Sequence, residues 1–179
     1  MFCVDSLNDV EICPVSLIIR TKPVGGGALY LGGKRAPLSV GEPIDVHMAC
    51  AGGLPPDPWA AEESYHIPLD DNPKIDWLSK PLWVAQVSAA ANLVAASLSK
   101  DKVVLVTCHM GLNRSGLVSA LALCMCGMKP DVAVVLLREQ RHDYVLCNSK
   151  FCTVVQVVGG EMFKQAQSRN NRRLLPTPK

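Results

Sequence analysis

Aromatic side chains make up only 5% of this 179-residue chain, and histidine occurs four times. His66 and His142 have no ligating partner at a useful spacing. The "CMC" at 124–126 lacks the second cysteine pair and the histidines that a zinc site needs. No metal or cofactor is implied. Charge of one sign is also missing: the net charge is +2, which argues neither for nor against nucleic acid as a partner. No apolar run reaches the length of a membrane span, so no membrane partner is expected. The first twenty residues carry acids where a signal peptide would carry a basic n-region. The chain therefore reads as soluble and cytoplasmic, with a nuclear location open. Internal repeats and low-complexity blocks are absent, which favours one domain. Nothing in the sequence sets the oligomeric state.

What the chain has is core material and thiols. Hydrophobic residues make up 49%, enough for a real core at this length. There are eight cysteines: Cys3, Cys13, Cys50, Cys108, Cys124, Cys126, Cys147 and Cys152. A domain of this size needs no staples, and free cysteine packs as a small apolar residue, so free thiols are expected.

Read in order, "PVSLII" suggests a strand and the glycines at 25–27 a joint. Strands are expected at 28–33, 44–50, 65–69 and 102–107. Helices are expected at 82–99, with Ser79 as N-cap and Pro81 in the first turn, at 115–126 and from Pro130 onward. A last helix is expected at 149–164, followed by a fraying basic tail. "KVVLVT" shows no polar alternation after Lys102, as expected of a strand buried on both faces. Short strands alternating with helices indicate an α/β fold, a small central sheet with helices on both faces.

The chemistry concentrates in "KVVLVTCHMGLNRSGLVSALAL", residues 102–123. Cys108 stands at the carboxyl end of a buried strand, where open α/β sheets bind ligands. Seven residues, Cys108 to Arg114, link it to an apolar helix whose N-terminus suits an anion. Such a loop can curl its N–H groups inward. Gly111 allows the backbone angle this needs, and Arg114 adds a planar fork of donors for two phosphate oxygens. The same field favours a thiolate at Cys108, and the Ser115 hydroxyl is placed to assist sulfur as a leaving group.

The pattern C-x2-G-x2-R-S-G resembles the phosphate-binding loop of cysteine-dependent protein phosphatases, in particular the small dual-specificity class. The resemblance covers about 27–165, leaving 1–26 as an N-terminal extension and 166–179 as a basic tail. "ALYLGG" is similar to that family's opening strand and "IPLDD" to the segment before its general-acid loop. "LLREQRHDYVLCNSKF" resembles its R-x2-R…N-x2-F stretch, here Arg138, Arg141, Asn148 and Phe151. The resemblance implies a tyrosine-phosphatase-like fold and a nucleophile at Cys108. It implies phosphate binding by Arg114 and the backbone of His109, Met110, Gly111, Leu112 and Asn113. It implies leaving-group help from Ser115 and no metal. One departure is Thr107, where the family usually has histidine; a hydroxyl replaces the hydrogen bond but not the charge.

Expelling an ester oxygen needs a proton donor. Asp70, Asp71 and Asp76 are the candidates. Local similarity to the family selects Asp71, whereas distance to the cysteine selects Asp76; Asp71 is the closer local match. His47, on an apolar strand, reads as a core histidine, and His109 as a loop side chain turned outward. Trp59, Trp77 and Trp83 either rim a pocket or pack, with packing the safer reading for Trp83. Arg138 and Arg141 either meet a second phosphate or acidic peptide, or are structural charges. The expected substrate is a phosphorylated protein: phosphotyrosine, with phosphoserine and phosphothreonine open. Two alternatives stand beside it. "GLNRSG" with Asn113 also resembles the RNA 5′-triphosphatase and diphosphatase branch, and Thr107 leaves room for a phosphate-binding module without turnover.

Overall fold

The computed structural model describes residues 14–23, 26–53 and 60–173. Among these, five strands form one sheet: β1 (Val15–Arg20), β2 (Ala28–Gly32), β3 (Val46–Ala49), β4 (Glu63–His66) and β5 (Val103–Thr107). Their order is β1-β2-β5-β3-β4. β2, β5, β3 and β4 run parallel, and β1 closes one edge antiparallel to β2.

β5 lies at the centre, and its side chains alternate between two apolar layers. Val104 and Val106 join Leu29, Leu31, Val46 and Met48 in the larger cluster. Leu105 joins Ala28, Tyr30 and Ile44 in the smaller. Burial on both faces is why the strand shows no polar alternation.

The larger cluster is roofed by α1 (Pro81–Leu98) and α2 (Arg114–Met125). Every residue of α2 from 115 to 124 is buried, so this helix has no polar stripe at all. α3 (Pro130–Gln140), α4 (Ser149–Val154), a π-helical turn (Val155–Gly159) and α5 (Gly160–Arg173) complete that side. The opposite layer is thinner and includes Ala36 of the short 3-10 turn Ala36–Ser39. The α/β expectation holds, with unequal layers.

Several local expectations shift. The strand expected at 65–69 is Glu63–His66. Pro68 has no N–H, so beyond His66 only Ile67 and Leu69 bond back to Ala49 and Cys50. Ser79 does not cap α1; its hydroxyl donates to the Asp76 carbonyl within the preceding 3-10 turn Trp77–Ser79. The last helix runs on to Arg173 rather than ending near 164. α1 is long and apolar enough to cross a membrane by length and composition, which the sequence reading missed. In the fold, its Val87, Ala90, Ala91 and Val94 are fully buried in the core. Cys147 is disulfide-bonded, contrary to the expectation of free thiols. Spacing along a chain does not reveal which cysteines a fold brings within bonding distance. Cys50, Cys108, Cys124, Cys126 and Cys152 are free.

Candidate active site

β5 delivers Thr107 and Cys108 to the carboxyl edge of the sheet, both buried. The Thr107 hydroxyl lies 2.8 Å from Nε2 of His47, on the adjacent strand β3. An imidazole thus meets position 107 from the neighbouring strand, and His47 is itself buried, as its apolar strand implied.

The loop 109–113 then turns its carbonyls outward, one after another. His109 C=O accepts from the Lys34 N–H at 3.2 Å. Met110 C=O accepts from Arg141 Nη2 at 3.2 Å, and Gly111 C=O from Arg141 Nε at 3.3 Å. Leu112 C=O accepts from the Leu146 N–H at 3.3 Å. Four successive carbonyls held from outside leave the loop N–H groups for its concave side. Gly111 makes this possible: its φ is +72°, and a Cβ there would sit 2.4 Å from the Gly32 carbonyl carbon at the end of β2.

The Cys108 sulfur accepts from the Gly111 N–H at 3.3 Å and from the Ser115 hydroxyl at 3.1 Å. α2 starts at Arg114 with no side-chain cap. The Asn113 side chain, in position to cap it, instead accepts the Asn148 N–H at 3.0 Å. The first turn of α2 therefore keeps its N–H groups for the loop. His109 and Met110 are exposed, so their side chains face away from the core.

Asp71 comes to this loop from the far side. Its Oδ2 is 3.8 Å from Arg114 Nε, and its Oδ1 accepts from Asn148 Nδ2 at 2.9 Å. Burial pushes its carboxyl up from the usual range, against the opposing pull of Asn148, Arg114 and Asn113. The other two aspartates are elsewhere. Asp70 Oδ1 accepts the Asn72 N–H in an exposed turn, and Asp76 Oδ1 accepts the Leu78 N–H at the start of the 3-10 turn. Arg114 Nε is buried and makes no hydrogen bond among the described residues.

Asn148 is the joint that the sequence pattern marked without revealing its task. It caps α4 through the Lys150 N–H while holding Asp71 and Asn113. One turn on, Phe151 stacks on Trp83 at 5.7 Å, and Trp83 stacks on Trp77 at 4.5 Å. Trp77 and Trp83 thus pack rather than rim a pocket; Trp59 lies outside the described residues. This aromatic stack fastens the segment carrying Asp71 to the start of α4. Arg138 donates to the Val145 carbonyl, and Arg141 to the loop, so both arginines are structural.

A groove between α1, the end of α2 and α5 is lined by Asn92, Ala95, Met125, Met162 and Arg169. It gathers no nucleophile–acid pair. Among the described residues no group of three His, Cys, Asp or Glu could hold a metal.

No family model matches the chain, and no curated protein matches it. Solved structures do. A mouse protein described as a dual-specificity phosphatase, complexed with zinc tungstate, is 20% identical with a TM-score of 0.67, over 90% of this chain and 97% of that one. Human DUSP28 is 19% identical with a TM-score of 0.60, over 87% and 96%. PTPMT1 in complex with PI(5)P is 13% identical with a TM-score of 0.61, over 88% and 99%. The chain has the fold of the dual-specificity and tyrosine phosphatases.

Proposed function

We propose that this chain is a phosphatase that hydrolyses phosphomonoesters of proteins, phosphotyrosine first. The observation that carries the reading is the convergence on one sulfur. Cys108 receives two donors, and Arg114 and Asp71 stand beside the same loop.

The steps follow from these positions. The substrate phosphate binds the loop N–H groups and the Arg114 fork. The Cys108 thiolate attacks phosphorus; an S–P bond forms as the P–O bond to the substrate breaks. Asp71, whose carboxyl burial pushes toward the protonated form, gives its proton to the departing oxygen. The product is a cysteinyl phosphate and a free hydroxyl. Asp71, now a carboxylate, takes a proton from water, whose oxygen attacks phosphorus. The S–P bond breaks, the Ser115 hydroxyl stabilises the returning thiolate, and inorganic phosphate leaves. His47 and Thr107 support the strand end from which the thiol projects.

The RNA reading rested on Asn113, and that side chain is occupied in holding Asn148. The test is a substrate panel: phosphotyrosine, phosphoserine and phosphothreonine peptides, triphosphate-ended RNA and a phosphoinositide, each with metal chelator present. Turnover greatest on phosphotyrosine peptide supports the reading. Turnover greatest on RNA or lipid moves the substrate class, and none at all leaves a binding module.

A further inference from the structure

Arg141 is the charged side chain most deeply tied into the loop, and the chemical steps above do not use it. It sits at the C-terminal end of α3 and is only 8% exposed, too buried to meet a protein-borne phosphate. One edge of its guanidinium, Nε and Nη2, spans the Gly111 and Met110 carbonyls, and Nη1 lies 3.4 Å from Ser16 Oγ on β1.

The Met110 carbonyl and the Gly111 N–H belong to one planar peptide group, pointing in opposite directions. Its oxygen is on Arg141, and its N–H is on the Cys108 sulfur. We infer that Arg141 is a positioning residue that sets the phosphate loop from behind, fixing and polarising the peptide that faces the nucleophile. Fixing the oxygen fixes the direction of the N–H. A cation on the oxygen also draws density from the nitrogen and strengthens the N–H as a donor, as in any chain of hydrogen bonds. The second bond does the same for the peptide between Gly111 and Leu112, whose N–H belongs to the same concave side. Through Ser16, the edge strand β1 becomes an anchor for the loop, although residues 1–26 lie outside the region the resemblance covers.

This inference rests on the proposed role of Cys108 and the loop, but its test does not need turnover. Inorganic phosphate is titrated calorimetrically into Cys108→Ser protein, alone and combined with Arg141→Gln, Arg141→Lys or Ser16→Ala. The thiolate ultraviolet absorbance at neutral pH is read in the corresponding proteins that keep Cys108. Arg141→Gln should weaken phosphate binding by about tenfold or more, the effect of losing charge-assisted bonds at two carbonyls, and should diminish the thiolate signal. Arg141→Lys reaches one carbonyl but not two and should fall between. Ser16→Ala should weaken binding less, by about threefold, within the range for one neutral hydrogen bond. Phosphate affinity within about twofold of the parent and an undiminished thiolate signal in Arg141→Gln would overturn the inference, even if melting fell, since one lost bond alone exceeds that. If Arg141→Gln does not fold, Arg141→Lys decides by the same two readings. Turnover surviving in Cys108→Ser would defeat the functional reading instead, and the phosphate titration would still report on Arg141.

Discussion

β3 and β5 are neighbours that finish alike. Val46, His47, Met48 and Ala49 pair in register with Val104, Leu105, Val106 and Thr107, and each strand then runs into a buried cysteine. The Cys50 N–H even donates to the Thr107 carbonyl, at 2.7 Å. Yet the two thiols have opposite surroundings. Burial pushes the Cys50 thiol well up; the Cys108 sulfur next to it adds to the rise, and Arg114 opposes it. Its sulfur reaches the Met48 carbonyl at 4.0 Å, a weak contact. Cys108 has an N–H and a hydroxyl aimed at it, and the uncapped first turn of α2 follows. A strand can bring a thiol to the edge of a sheet; the loop and helix that come next decide whether it can carry charge.

The most direct way to break this comparison is to exchange the sulfur atoms. Cys108→Ser should abolish turnover while phosphate binding persists, because the cradle is backbone and Arg114. Cys50→Ala should leave turnover in place, since a buried free cysteine is worth a small apolar side chain. Retained turnover without Cys108, measured against phosphotyrosine peptide, would dissolve the distinction.

A smaller loss is expected at the acid. Asp71→Asn should slow phosphotyrosine peptide by roughly 10²–10⁴-fold, the usual span of general acid catalysis. An activated aryl phosphate, whose oxygen leaves without a proton, should suffer much less. Asp70→Asn and Asp76→Asn, which alter a turn and a cap, should show no such dependence on the leaving group. The same dependence at Asp76 instead would mean that sequence distance to the cysteine was the better guide.

Reactivity sharpens the comparison without any substrate. At pH 7, Cys108 should alkylate with iodoacetamide about tenfold or more faster than Cys50, Cys124 and Cys152. Burial raises all three of those thiols, Cys124 to about 12. Burial raises Cys126 as well, but its exposure makes it the stricter control, because access would favour it. Mass mapping in which Cys126 outruns Cys108 would show that the loop does not single this sulfur out.

The subtlest effect is a displaced pH limb. Asn148 donates to the Asp71 carboxylate and so favours its charged form. Asn148→Asp removes that donor, adds a like charge and keeps an oxygen to cap α4. Both changes hold the Asp71 proton longer as pH rises, so the basic limb of the pH–rate profile should move to higher pH. A limb that stays in place would separate Asp71 from the basic limb.

Local pattern was enough for the strand–loop–helix at 102–125, because the hydrophobic period and the turn residues are written in neighbouring positions. It was enough to pick Cys108 out of eight thiols, since an apolar strand, a glycine and an arginine at fixed spacing already describe an anion cradle. It ranked three aspartates only by two rules that disagreed. Their environments depend on Asn148, seventy-seven positions beyond Asp71. Arg141 looked like either a surface charge or a substrate contact, because a helical spacing cannot tell which face meets the loop.

The sequence by itself determined the fold class, the buried central strand and the chemical character of residues 108–115. Those rest on steric and hydrophobic preferences that act within a few residues of one another. The tertiary structure decided which aspartate stands beside Arg114, and that His47 bonds to Thr107 from the next strand. It also decided that Arg141 and Ser16 brace the loop from behind. Hydrogen bonds and charges act over a few ångströms of space whatever their separation along the chain, so those partners exist only once the sheet and its helices have closed on one another.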